Sequence, residues 1–373
     1  MIFIMDSSAF SAEKYSQDKI RAVDARFEAQ KIAFSPLTFQ AVRALLELGI
    51  LKAIEDSGEN GISAKSLSQQ TGVSEYGISV LCEMALGMNI IKINPSSAQE
   101  QFTLAKTGHF LLNDTLTKVN FNFCNDICYK GAFSLKESVI SGKPEGLGTF
   151  GSQWTTIYEA LSSLPPREQK SWFEFDHFYS DIAFPEALPI VFQKGSEPKT
   201  LVDIGGNTAK WAIACCRYNP DVHVTIVDLP GQTAVAEQNA REAGFSHRIS
   251  TASGNVLAQE TEIPREADAV WMSQFLDCFS LPQITKILRK IYEAAGKQTK
   301  VYVLEPLWDR QQFEGSAYSL MATSLYFTCM ANGNSKMYRF QELKDAIEQS
   351  GFRLNDARHN LGSNAYSLLE FKK

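Results

Sequence analysis

The segment Thr200-Leu201-Val202-Asp203-Ile204-Gly205-Gly206-Asn207-Thr208-Ala209-Lys210-Trp211 constrains the fold more than any other part of the chain. An apolar strand runs into a turn of small residues and then into a helix through Trp211, Ile213 and Ala214. Glycine in such a turn lets the backbone approach a ligand at the helix N-terminus, where unpaired N–H groups point outward. The next β-rich run, Val222 to Val227, ends at Asp228. A carboxylate about 20 residues beyond the turn can accept both ribose hydroxyls of a nucleoside-type cofactor. Asn207 and Ala209 stand where a GxGxxG pattern would want glycine. Asn tolerates positive φ and Ala still allows close helix–strand packing, so the turn remains feasible. Taken alone, the segment has a second, lesser reading as a tight βα turn without a ligand.

From Thr200 onward, β-rich runs alternate with helical stretches, which predicts a parallel sheet with crossover helices. From Ser11 to about Pro189 the rhythm is helical, and the polar stretch Gln193–Lys199 marks the boundary. The expectation is a mainly helical domain over 1–195 and an α/β domain over 196–373. Leu37 to Ile54 reads as one helix with two apolar stripes, buried on two sides either within its domain or at a subunit interface. Ser63 and Ser74 are candidate N-caps of two short helices. The runs Ile90–Ile93 and Gln101–Leu104 then read as a hairpin, giving a winged-helix order. Its second helix offers Glu75, Tyr76, Ser79 and Glu83, and carboxylates repel phosphates, so no nucleic-acid partner is expected. A net charge of -6 agrees. No apolar run approaches the ~18 residues of a membrane span, and Met1–Met5 is too short for a signal-peptide core. Seven cysteines without metal-type spacing imply reduced thiols in a cytoplasmic protein and no metal centre.

The winged-helix pattern followed by VDIGGNTA, IVDLP, SGNV, SQFLDCFSLPQITKIL and VYVLEPL resembles the caffeic acid and acetylserotonin type of small-molecule O-methyltransferase. Bacterial antibiotic and polyketide O-methyltransferases share the plan. The resemblance runs from about Ala33 to the C-terminus and rests on motif order. It implies a winged-helix-like dimerisation domain, and hence a homodimer. It also implies a Rossmann-like domain that binds S-adenosyl-L-methionine, its mostly parallel sheet ending in an antiparallel hairpin over Phe352–Leu354 and Ser367–Phe371. By the same resemblance Gly205 and Gly206 lie against the cofactor, Asp203 opens the motif and Asp228 takes the ribose. Asn255 and Val256 flank the adenine, and Ser273 approaches the methionine end. Asn255 replaces the family's usual Asp, and Ser273 its usual Lys.

In this family a His opening an HDW motif removes the acceptor's proton, supported by two acids. Here Asp277, Cys278 and Phe279 fall on that motif, Glu305 keeps the first acid and Met337 falls on the second. Three routes are open. Asp277 and Glu305 at neighbouring strand ends could share a raised pKa and supply a base. His177, in Phe175-Asp176-His177-Phe178-Tyr179, could supply it instead. Proximity alone could suffice for an acidic acceptor. Trp154, Tyr158, Tyr179, Phe327, Met330 and Met337 are the expected walls of an aromatic acceptor pocket. The expected activity is O-methylation of a small phenolic or polyketide-like hydroxyl compound. A catalytically silent binder of the cofactor or another ligand, and a cofactor-assisted hydroxylase or decarboxylase, are the alternatives.

Overall fold

The computed structural model describes residues 15–363 and 365–373, and for residues 177–181 the backbone only. The His177 and Tyr179 expectations therefore lie outside the described side chains. The chain forms two compact units, Tyr15–Asn122 and Phe123–Lys373.

The first unit contains α1 (Ala22–Ala33), α2 (Ser35–Glu47), α3 (Ile50–Asp56), α4 (Ala64–Thr71), α5 (Glu75–Gly87), the hairpin β1 (Ile91–Ile93) and β2 (Phe102–Leu104), and α6 (Lys106–Asn113). Ser63 Oγ accepts the Ser66 N–H at 3.1 Å and Ser74 Oγ accepts the Gly77 N–H at 3.1 Å, so both expected caps form. The hairpin is antiparallel, with Ile91 opposite Leu104. Leu45, Ile50, Leu51, Ile54, Leu67 and Ile78 are fully buried and make the core. One expectation needs correction: Leu37 to Ile54 is two helices. The chain turns at Gly49, whose φ of 70° lies in the left-handed region that glycine enters without steric cost. Val42 of one stripe and Leu45 of the other are buried within the unit. On the other side Leu37, 69% exposed, lines an apolar groove with Ala41, Val80 and Met84.

The second unit is built on a seven-stranded sheet of order β5-β4-β3-β6-β7-β9-β8. Its strands are β3 (Thr200–Ile204), β4 (His223–Asp228), β5 (Ile249–Ser253), β6 (Ala269–Ser273), β7 (Lys300–Glu305), β8 (Arg353–Leu361) and β9 (Tyr366–Lys372). The first five are parallel, and β9 runs antiparallel to both β7 and β8. Strands covered on both faces need apolar residues at every position. Val270, Trp271 and Met272 in β6 and Val301 through Leu304 in β7 meet that demand. Trp271 stacks on Trp211 with ring centroids 3.7 Å apart, locking the sheet to the helix Lys210–Tyr218. Helix Leu281–Ala294 buries Ile284, Ile287, Leu288 and Ile291 and is capped by Ser280 with Gln283.

The boundary differs from the expected 195/196. Phe123, Ile127, Leu161 and Trp172 share one core with Leu320, Tyr326, Phe327 and Met330. Helices preceding the sheet therefore belong to the second unit, packing on one another and on residues 320–337. Among the described residues no helix is long and apolar enough to cross a membrane, and no group of side chains could hold a metal ion. All seven cysteines are free.

Trp271→Ala removes a fully buried ring and its stacking partner, and should cost about 3–5 kcal/mol of stability. Denaturant unfolding followed by fluorescence measures it, with the midpoint moving down.

Candidate active site

The chain passes from β3 outward to β4 and β5 and then returns to the other side of β3 as β6. Ligands of such sheets bind outside the carboxyl ends of the strands at this reversal. A cavity of ≈ 390 Å³ opens there. One end is walled by Gly205, Asn207, Asp228, Asn255 and Val256, and the other by Tyr158, Trp172, Asp277, Tyr326, Phe327 and Met337.

The first end depends on an unusual turn. Gly205 has φ 75°, and a Cβ there would meet the Phe275 ring at 2.3 Å. Asn207 and Ala209 also take positive φ, 46° and 66°. The turn thus keeps its left-handed path without glycine at these two positions, at roughly 1–2 kcal/mol each. Hydrogen bonds hold it: the Asn207 N–H donates to Asp228 Oδ2 at 2.9 Å, and Asn239 Nδ2 donates to Thr208 O at 2.9 Å. Gly206 and Asp203 lie off the cavity wall, beneath the turn. A Cβ on Gly206 would meet Asp203 Oδ2 at 2.6 Å, so packing requires that glycine. Asp203 is 2% exposed, and Oδ2 is without a hydrogen-bond partner. Burial, reinforced by the negative charge of Asp228, pushes its carboxyl up to about 8.

Asp228 accepts the Asn207 N–H on one oxygen and the Leu229 N–H at 2.7 Å on the other. Burial raises its pKa, while both N–H groups favour the anion. Each oxygen retains a second lone pair for a ribose hydroxyl. Asn207 Oδ1 and Gln274 Oε1, both in wall residues, are buried acceptors without partners. Such acceptors cost free energy until a donor arrives, and the ammonium of a methionyl group is a suitable one. Asn255 Oδ1 accepts the Leu257 N–H at 2.9 Å, which holds the amide in a turn at the cavity edge. These residues fit an adenosyl cofactor. Ser273 does not reach the wall, and its Oγ is buried without a partner.

At the second end Asp277 is on the wall and only 5% exposed. Burial pushes it up to about 7, with the negative charge of Asp176 adding to the shift. Its Oδ1 lies 3.5 Å from the Cys278 thiol. Glu305 is off the wall. Its Oε1 accepts the N–H groups of Phe275 at 3.0 Å and Leu276 at 2.8 Å, which splints the turn carrying Asp277. Burial and the Asp277 charge raise its pKa well above the usual carboxylate range.

Tyr158, Phe327 and Met337 line the cavity, and Trp154 and Met330 do not. Met330 is fully buried against Gly131, where a Cβ would come within 2.2 Å of its sulfur; it fills core space. Sequence reasoning missed several wall residues, among them Asp176, Trp172, Gln274 and Asn332. Asp176 stands in the same run as His177, and its Oδ2 accepts from Asn207 Nδ2 at 3.3 Å. Trp172 Nε1 donates to Tyr326 Oη at 2.8 Å, and Asn332 Nδ2 donates to Cys278 O at 2.7 Å. No local motif marks either pair.

The raised acids set the pH dependence of stability. Between about 3.9 and about 8 the unfolded chain has lost the Asp203 proton while the folded chain keeps it. Stability contributed by that proton is full below the unfolded value and falls as pH rises toward about 8. Thermal unfolding from pH 5 to 8.5, bounds set by roughly that window, should show a declining melting temperature. Asp203→Asn should flatten the decline.

Residues 134–353 match the sequence model of an O-methyltransferase domain, and residues 26–101 that of a Dimerisation2-like domain. The L-tyrosine C(3)-methyltransferase of Streptomyces lavendulae is 23% identical over 86% of this chain and 85% of its own. Among solved structures, the mitomycin 7-O-methyltransferase MmcR aligns with a TM-score of 0.68 at 18% identity, covering 94% of this chain and 98% of that one. NcsB1, an O-methyltransferase from neocarzinostatin biosynthesis in complex with S-adenosylmethionine and 2-hydroxy-5-methyl naphthoic acid, aligns at 0.60 and 21% identity, covering 90% and 95%. A domain match over more than half of the chain, on a sheet whose reversal point holds the cofactor-type cavity, places this protein in the S-adenosylmethionine-dependent O-methyltransferase family.

Proposed function

We propose that the chain methylates the hydroxyl group of a small aromatic compound, phenolic or polyketide-like, with Asp277 as the proton acceptor. The observation that carries this reading is the continuity of the cavity. A single space joins the Gly205–Asp228 end to the Asp277 carboxylate beneath Tyr158, Phe327 and Met337. S-adenosylmethionine, when bound, supplies a methyl group on a sulfonium centre. Asp228 would accept the ribose hydroxyls, Asn207 and Gln274 the amino group, and Asn255 with Val256 would border the adenine. Gly205 keeps the backbone close enough for that fit.

Aromatic and thioether side chains hold a flat acceptor and exclude water, which aligns its oxygen for in-line attack. Asp277, with a carboxyl near 7, matches a general base working near neutral pH. Asp277 would take the acceptor's O–H proton as that oxygen is methylated. Glu305 acts on this step only through the backbone of Phe275 and Leu276, so it is a positioning residue. The His177 and proximity-only routes compete with Asp277 for the same role.

The groove lined by Leu37, Ala41, Val80 and Met84 supports a homodimer, since a second copy would cover apolar surface that the first unit leaves exposed. The Dimerisation2-like match over 26–101 supports the same reading.

On any phenol of a panel that the protein methylates, Asp277→Asn should lower kcat by roughly 10²–10⁴. Calorimetric affinity for S-adenosylhomocysteine should not change. Wild-type kcat should rise with pH and level off above about 7, a limb absent from the variant. An unchanged kcat would move the role to His177 or to proximity alone, and His177→Ala separates those. Leu37→Asp with Met84→Asp should convert the dimer to monomer by light scattering.

A further inference from the structure

The connection from β5 to β6 is bare. Between Ser253, where β5 ends, and Ala269, where β6 begins, the chain forms no helix and no further strand. Connections of that length without secondary structure are uncommon in compact domains and are usually functional. The first part of this one, Gly254 to Leu257, walls the cavity. Internal bonds give the turn its shape. Asn255 O accepts the Ala258 N–H at 2.8 Å and the Thr261 hydroxyl at 2.7 Å, and Asn255 Oδ1 accepts the Leu257 N–H. Bonds within a turn fix its shape but not its place against the sheet.

Placement comes from groups outside the turn. On one side the Gly254 N–H donates to Asp228 O at 2.8 Å. On the other, two ammonium groups of helix Leu281–Ala294 reach the turn's carbonyls. Lys286 Nζ donates to Leu257 O at 2.8 Å, and Lys290 Nζ donates to Ala258 O at 2.7 Å. Residues four apart share a helix face, and Gln283, one turn ahead of Lys286, is on the cavity wall. Neither lysine makes an ion pair among the described residues. Hydrogen bonds from a charged donor are stronger than neutral ones, and these two fall next to Val256, itself buried in the core below the sheet's carboxyl ends. A turn held in its binding geometry before the ligand arrives need not be ordered at the expense of affinity.

We propose that Lys286 and Lys290 are positioning residues of the donor site, clamping the Gly254–Ala258 turn so that Asn255 and Val256 meet the adenine. The pair acts on methyl transfer only through donor binding. This rests on the reading of Asn255 and Val256 as the adenine border.

Lys286→Met with Lys290→Met keeps the aliphatic stems and removes both ammonium groups. Calorimetry on the full chain should show S-adenosylhomocysteine binding about tenfold more weakly than to wild type, equivalent to about 1.4 kcal/mol. Lys286→Met alone, at an exposed position, should give about threefold. Lys286→Arg with Lys290→Arg retains two cationic donors and should stay within about threefold of wild type. On a phenol that the wild type methylates, the methionine pair should raise KM for S-adenosylmethionine and leave kcat in place. Amide hydrogens of residues 254–258 should exchange faster in the ligand-free methionine pair. Wild-type affinity in the methionine pair overturns the inference. So does a fall in kcat with KM unchanged, or an equal loss of affinity in the arginine and methionine pairs. Asn255→Ala tells this failure from failure of the adenine reading. Weakened binding in Asn255→Ala beside wild-type affinity in the methionine pair sinks the inference alone, and wild-type affinity in both variants sinks both.

Discussion

The Asn207 N–H bound to the Asp228 carboxylate ties the turn after β3 to the end of β4, and the rest of the site is arranged around that bond. Asn207 and Ala209 hold left-handed backbone that side chains resist, so the turn keeps its shape only because it is fastened at several points. The same bond occupies one side of the Asp228 carboxylate and favours its ionised form, against the burial that raises its pKa. It also brings Asn207 Nδ2 to Asp176, so the cofactor turn and a helix ahead of the sheet are linked through one side chain.

Buried acids under that turn do different jobs according to what their oxygens meet. Glu305 spends one oxygen on two backbone N–H groups and so fixes the path of residues 275 to 278. Asp203 meets no donor on Oδ2 and is kept protonated near neutrality, filling the space that Gly206 leaves open. Asp277 alone among these three faces the cavity. The Asp277 charge adds to the rise of Glu305 and the Asp176 charge to that of Asp277, while burial is the largest cause of both shifts.

What the sequence made legible was local. The strand, the small-residue turn, the acid at the next strand end and the Ser63 and Ser74 caps depend on residues within one or two turns of chain. Gly49 was a local signal left unused: a lone glycine inside an apolar pattern can end a helix as easily as it can be tolerated. Trp172, Asn332 and the separation of Met330 from Met337 were not legible, because each depends on segments far apart in sequence meeting over the sheet. For the same reason the domain boundary looked later than the compact units make it. Composition rhythm changes where strands begin, whereas the core closes wherever apolar faces find each other.

Replacing a neutral imidazole base by a carboxylate changes the charge balance of methyl transfer. A histidine is neutral before it takes a proton and cationic afterwards, so a positive charge persists in the cavity after the sulfonium is spent. A carboxylate starts negative and ends neutral. With Asp277 as the proposed proton acceptor, its negative charge would be spent in the same step as the donor's positive charge. Loss of charge is favoured where water is excluded, since separated charges are costly in a medium of low dielectric constant. The apolar Met337, at the position where the family places a second acid, suits this arrangement: an additional anion would oppose ionisation of Asp277, whereas a thioether leaves its pKa to burial and Asp176. On the proposed Asp277 route, the two departures from the family pattern amount to one electrostatic change.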